Sequence, residues 1–170
     1  MWGTAITTPN RNTVVVTTDV CNETDVDKEV EVTTTLSDGT CGKQTVVIPA
    51  QGKKQVVETL SVDNPRLWSP SSPDLYTATV SLSTGDSVTE TFGIRTIEYS
   101  ADKGLQLNGN HLLLNGGCVH HDNGILGAAA FDKAEIRKVK LMKAAGYNAV
   151  RTSHNPPSEC FLHACDSLGL

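Results

Sequence analysis

Arg151-Thr152-Ser153-His154, followed at once by Asn155-Pro156-Pro157, concentrates the chemistry of this 170-residue chain. A helical pattern stops at Gly146, and a short buried strand through Ala149 and Val150 delivers four polar side chains in succession. The double proline then forbids further strand pairing. An imidazole at a strand end can hydrogen-bond a polar substrate, while the Arg151 guanidinium is expected as a structural ion-pair partner. The C-terminal ends of parallel strands are where barrel and doubly wound folds gather such groups. The strand is therefore expected to wall an active site. A second cluster, His120-His121-Asp122, follows Val119 in the same way. Adjacent strand residues point to opposite faces, so its two imidazoles rarely reach one ion, and no metal is expected. Ser153 lacks a GxSxG setting, and a serine beside a histidine in sequence does not make a nucleophile with its base.

The elements that must position these groups form an α/β segment from about residue 104. Leu105–Leu107 and Leu112–Leu114 flank Asn108-Gly109, the signature of a tight hairpin. Leu112-Leu113-Leu114 and Val119 read as a buried strand leading into the histidines. A helix is expected from Asp132, with Asp132 as N-cap and Glu135 completing a capping box. Ile136, Val139, Met142 and Ala145 supply its apolar stripe, and Gly146 its stop. The strand Tyr147–Arg151 follows. A second helix then starts with Ser158 as cap, buries Phe161, Leu162, Cys165 and Leu168, and ends at Gly169. The order strand, helix, strand, helix is enough for one βαβ unit but cannot close a sheet.

Before it, residues 4–99 read as all-β. Val14–Thr18, Val30–Thr35, Thr45–Ile48, Val56–Leu60, Tyr76–Leu82 and Val88–Tyr99 are β-branched or alternating runs separated by turn residues. Six or seven short strands in under a hundred residues suggest an immunoglobulin-like sandwich, without the Cys-Trp-Cys spacing of an antibody domain. The fold class expected is mostly β: a sandwich over 1–99, then a truncated α/β segment over 100–170. Trp68 and Tyr76 are expected in the sandwich core.

Net charge is −5 and no basic stripe exists, which argues against nucleic acid as a partner. No apolar run approaches the ~20 residues of a membrane span. Residues 1–20 are too polar and Thr-rich for a signal peptide, and the compartment stays open. The five cysteines contain no CxxC pair. A Cys21–Cys41 bridge and five free thiols both remain open.

The ordered motifs resemble glycoside hydrolase family 2, the β-galactosidase and β-glucuronidase family. The resemblance rests on Leu67-Trp68-Ser69-Pro70 with Pro73-Asp74-Leu75-Tyr76, and on Phe92-Gly93-Ile94-Arg95. It continues through Leu107-Asn108-Gly109, Val119-His120-His121-Asp122, Leu141-Met142-Lys143, Asn148 to Pro156, and Cys165-Asp166-Ser167-Leu168-Gly169. It implies that residues 1–99 are the family's immunoglobulin-like domain. It implies further that 100–170 are the first two strand–helix units of its (β/α)8 barrel, whose full length is roughly 250 residues.

The family hydrolyses glycosides with retention, using a glutamate acid/base and a glutamate nucleophile on later barrel strands. No position here corresponds to either, so the chain alone is expected to be inactive. By the same resemblance His121 and His154 contact the sugar, with Asp122 and Arg151 as neighbours; Asp122 is read as binding substrate or orienting a histidine, and Arg151 as structural. His120 stands where Arg or Lys is frequent, and Asp122 where Glu is frequent. The implied partner is carbohydrate, a β-galactoside, in the intact enzyme, with no cofactor. A β-glucuronidase is the alternative, and a non-catalytic spacer or interaction module is a third reading. In that third reading exposed strand edges drive self-association into a homo-oligomer.

Overall fold

Alternation with a period of two dominates the first part of the chain, and the computed structural model, which describes residues 3–170, turns it into two sheets. The strands are β1 (Gly3–Asn10), β2 (Thr13–Asn22), β3 (Lys28–Leu36), β4 (Cys41–Ile48), β5 (Gly52–Ser61), β6 (Tyr76–Leu82) and β7 (Ser87–Phe92). One sheet has the antiparallel order β1-β2-β5, the other β4-β3-β6-β7. On β2 the buried residues are Val14, Val16, Thr18, Val20 and Asn22, and on β3 Val30, Val32, Thr34 and Leu36. From Val14 on β2 and Val30 on β3 the even positions enter the core, while the odd positions are half-buried on β2 and mostly exposed on β3, the alternation that one-sided burial requires. A fully buried Val or Ile contributes ~1.5–3 kcal/mol by removal from water, so these rows hold the sandwich.

β1 was not among the expected strands. Its run Gly-Thr-Ala-Ile-Thr-Thr-Pro-Asn is polar and buries none of its residues fully, as suits an edge strand. The sandwich also buries a carboxylate. Glu58 on β5 accepts a hydrogen bond from the Thr34 hydroxyl on β3, which ties one sheet to the other. Cys21 and Cys41 lie on strands of different sheets, and all five cysteines are free thiols.

The run expected as one strand over Val88–Tyr99 is two. β7 ends at Phe92, and β8 (Ile97–Ser100) pairs instead with β9 (Gly104–Leu107), which pairs with β10 (Asn110–His111). Between β9 and β10, Asn108 and Gly109 both have positive φ, 52° and 78°, the geometry of a two-residue hairpin turn. The break separates two compact units: one runs up to Arg66 and adds Leu75–Thr96, the other comprises Leu67–Asp74 and Ile97–Leu170. Trp68 therefore belongs to the second unit and not to the sandwich core. It is buried, its indole N–H donates to the Asp166 carbonyl at 2.7 Å, and its own carbonyl accepts from Asn108 Nδ2 at 3.0 Å. Tyr76 stays in the first unit, stacked on Phe92 at 5.8 Å.

In the second unit β11 (Gly116–Val119) and β12 (Ala149–Thr152) pair in parallel, with α1 (Asp132–Ala144) as the crossover and α2 (Glu159–Leu168) following. The triplet Leu112–Leu114 lies outside the parallel strand, and Leu113 and Leu114 are exposed. The strand instead opens at Gly116, where a Cβ would collide with the Ala149 carbonyl of β12 and only glycine fits. The capping box does not form: Phe131 is the residue before α1, with no side-chain cap, and Glu135 is turned into the protein. Ser158 does cap α2, accepting from the Phe161 amide at 3.2 Å, and Gly169 ends it at φ 77°. Val139, Phe161, Ala164 and Cys165 make the core cluster, with Ile136, Met142, Val119 and Val150 packed on it. Leu162, expected inside, is half exposed.

Candidate functional site

Val119 and Val150 pack toward the helices, so the intervening positions face the other way. Cys118 and Arg151 are those positions, and they are direct partners across the parallel ladder. Arg151 Nη1 donates to Cys118 Sγ at 3.6 Å and to Ser153 Oγ at 3.2 Å, and Ser153 is buried. The Ser153 hydroxyl first, and then the Arg151 guanidinium, hold the exposed Cys118 thiol below its ordinary value. The opposite displacement occurs at Cys165, where burial, aided by Asp166, pushes the thiol up to about 11.

Past the ends of these two strands the histidines follow. The His120 ring lies 6.0 Å from the His154 ring in an edge-to-face arrangement. The Ser153–His154 peptide is cis. His121 is on the helix side, in a cleft it lines with His120, Glu135, Lys138, Thr152 and Asn155. Asp122 is exposed, and its carboxylate accepts from the Gly124 amide at 3.0 Å while its own amide donates to the His120 carbonyl at 2.8 Å. The ring contact of His154 is thus with His120, while His121 acts electrostatically on Glu135. Among the described residues no three His, Cys, Asp or Glu side chains are placed to hold a metal ion, and no helix is long and apolar enough to cross a membrane.

Two groups escaped the sequence reading. His120 enters the sequence reading as half of a metal pair and as a departure from the family's pattern, not as a site residue, although the period of two from Cys118 places it on the face opposite His121. Glu135 was read as a cap, although its spacing of four from Val139 puts it on the buried stripe of α1. It is only 4% exposed. Its Oε1 accepts from Asn123 Nδ2 at 3.0 Å and from Lys138 Nζ at 3.1 Å. Burial pushes this carboxyl up. The two hydrogen bonds and the charges of Lys138 and His121 outweigh it, and the net displacement is below the ordinary glutamate value.

A sandwich followed by the opening strands and helices of a parallel barrel is a modular architecture, and sequence models identify it. The model described as glycosyl hydrolases family 2 matches residues 3–95, and that family's TIM barrel domain matches residues 100–170. The chain belongs to glycosyl hydrolases family 2. Among curated relatives, a β-galactosidase of Bacteroides ovatus, BoGH2A, is 36% identical over 99% of this chain and 21% of its own length. A putative β-glucuronidase of Formosa agariphila is 40% identical over 65% of this chain and 11% of its own.

Among solved structures, a family 2 member from Bacteroides cellulosilyticus superimposes with a TM-score of 0.94 at 42% identity, covering 99% of this chain and 25% of that one. A β-glucuronidase of Bacteroides uniformis gives 0.88 at 29%, covering 99% and 22%. The chain therefore spans about a fifth of the length of the curated relative that matches nearly all of it.

Proposed function

We propose that this chain is part of a retaining β-glycosidase that hydrolyses O-glycosyl bonds, with β-galactosides as its substrates. The observation that carries the reading is the meeting of the His120 and His154 rings past the C-terminal ends of two adjacent parallel strands, with His121 next in the chain on the helix side. That is the end at which barrels do chemistry. His154 and His121 are assigned to sugar hydroxyls, with Asp122 as a further contact, and Arg151 to holding Ser153 and the end of β12. An imidazole donor placed where charge develops is worth ~3–4 kcal/mol in the transition state. The bond cleavage itself needs two carboxyl groups ~5–5.5 Å apart, one to protonate the leaving oxygen and one to attack the anomeric carbon. No position in these 170 residues matches the family's two glutamates, so the polypeptide alone is assigned no turnover.

The test has two arms. The purified chain releases no nitrophenol from nitrophenyl β-galactoside above a buffer blank; release would overturn the assigned inactivity. An enzyme expressed from the reading frame extended beyond Leu170 hydrolyses that compound, and His154→Ala lowers its kcat/KM by ~10²–10³. Failure of the extended enzyme on every nitrophenyl glycoside would overturn the glycosidase reading. β-Glucuronides are the second substrate reading, favoured by the relatives of that name. The ratio of the two nitrophenyl glycosides as substrates decides between them. Exposed apolar side chains such as Ile125 and Phe131 support self-association, which light scattering measures.

A further inference from the structure

A buried carboxylate on a helix is costly unless it is fully paired, and an apolar side chain of the same volume often serves stability as well. Glu135 is such a group: it is buried four residues before Val139, on the stripe that packs against the strands. As a helical pair spaced by three, Glu135 and Lys138 would bring little stability at the surface. What distinguishes the pair is where its remaining hydrogen bonds go. Glu135 Oε1 accepts from Asn123 Nδ2 at 3.0 Å, and Lys138 Nζ donates to the His120 carbonyl at 3.4 Å. One ion pair on one turn of α1 thus holds both ends of a four-residue segment, His120 to Asn123. Inside that segment the Asp122 amide bonds back to the His120 carbonyl, and the Asn123 amide reaches forward to Gly127 at 2.8 Å.

We propose that Glu135 and Lys138 form a clamp that fixes the His120–Asn123 segment, which makes them positioning residues for His121 and Asp122. What the segment presents rests on the glycosidase reading; the clamp itself does not. A pinned segment matters because donors aimed at a transition state lose their advantage when they must be reorganised, and a misplacement of about 1 Å can cost ~10²-fold. The clamp uses two different acceptor–donor senses at its two ends. A reversed pair therefore cannot replace it, because a carboxylate at position 138 has no proton to give the His120 carbonyl.

Amide hydrogen exchange on the full 170-residue chain tests this. In Lys138→Met and in Glu135→Met, the amides of Asp122 and Asn123 exchange about tenfold faster, the loss expected for one charge-assisted hydrogen bond. The Val139 amide keeps its rate. In the double variant Glu135→Lys/Lys138→Glu, the ion pair is restored and the fast exchange of the segment persists. Three results overturn the clamp: unchanged rates at Asp122 and Asn123 in both single variants, an equal rise at Val139, or rescue by the reversed pair. No sugar enters these measurements, so their failure leaves the glycosidase reading standing. The reverse outcome is equally distinct. Fast exchange as expected, with an extended-frame enzyme inert on nitrophenyl glycosides, overturns that reading and keeps the clamp.

Discussion

Each of the two compact units buries one glutamate, and they handle it differently. In the sandwich, Glu58 on β5 takes a proton donor from a neutral hydroxyl, Thr34 of the opposing sheet, and the bond fastens structure to structure. In the α/β unit, Glu135 on α1 takes an amide from a loop and an ammonium from its own helix. That bond fastens structure to the segment carrying His120, His121 and Asp122. The first arrangement is a cross-brace in a core that its own strands already close. The second sits in a unit whose parallel sheet pairs β11 with β12, and where Leu113, Ile125, Phe131 and Leu141 are exposed. Polar burial in the sandwich serves the fold, and in the α/β unit it serves the placement of side chains at a strand end.

The largest effect that sharpens this contrast is a truncation in each core. Phe161→Ala removes the largest side chain of the helical cluster and costs ~3–5 kcal/mol; Ile94→Ala, fully buried in the first unit, costs ~2–5 kcal/mol. Hydrogen exchange is expected to show Phe161→Ala loosening α1, α2, β11 and β12 while β2, β3 and β6 keep their protection, and Ile94→Ala doing the reverse. If either substitution released both sets of amides together, the two units would be one cooperative structure and the comparison would collapse.

Strand alternation explains why the sandwich was legible and the second unit less so. Val14, Val16, Val30 and Val32 announce their faces by period alone, and one-sided burial fixes their register. The edge strand β1 carries no such signal. In the α/β unit the apolar triplet Leu112–Leu114 looked like the first parallel strand. The real strand, Gly116–Val119, pairs with β12 and opens on a glycine that the close approach of Ala149 requires, a tertiary requirement invisible in hydrophobicity. The candidate residues His121, His154, Asp122 and Arg151 were readable from the family's motifs. The contact of His154 with His120 was not, because it depends on where the segment after β11 is held. Glu135 was misassigned because an acid in a first helical turn satisfies a capping rule as well as a burial pattern.

A smaller effect separates the two units by pH. Glu135 has its folded-state value lowered, so its contribution to stability is fully present above the unfolded glutamate value of about 4.3 and is lost as pH falls through the folded one. Acid titration followed by exchange of α1 and α2 amides is expected to show the α/β unit weakening below that range. Glu135→Met should remove the acid-dependent part of the loss. An unchanged acid slope in that variant would assign the effect to other carboxylates and erase Glu135 as the point of difference.

The smallest effect contrasts the two helix starts within the α/β unit. α2 opens on Ser158, whose hydroxyl accepts the Phe161 amide, whereas α1 opens after Phe131 with no side-chain cap. Ser158→Ala is therefore expected to cost about 1 kcal/mol, the ordinary loss for an N-cap serine. Asp132→Ala, which removes only a charge near the positive end of α1, is expected to cost ~0.3–1 kcal/mol, at the low end because the residue is exposed. Urea unfolding of the two variants at neutral pH measures the difference. Equal losses would mean that Asp132 caps α1 in solution and that the first helix is held at its start as the second is. The smaller loss at Asp132 would leave α1 dependent on its middle, where Glu135 and Lys138 attach it to the His120–Asn123 segment and Val139 to the core cluster.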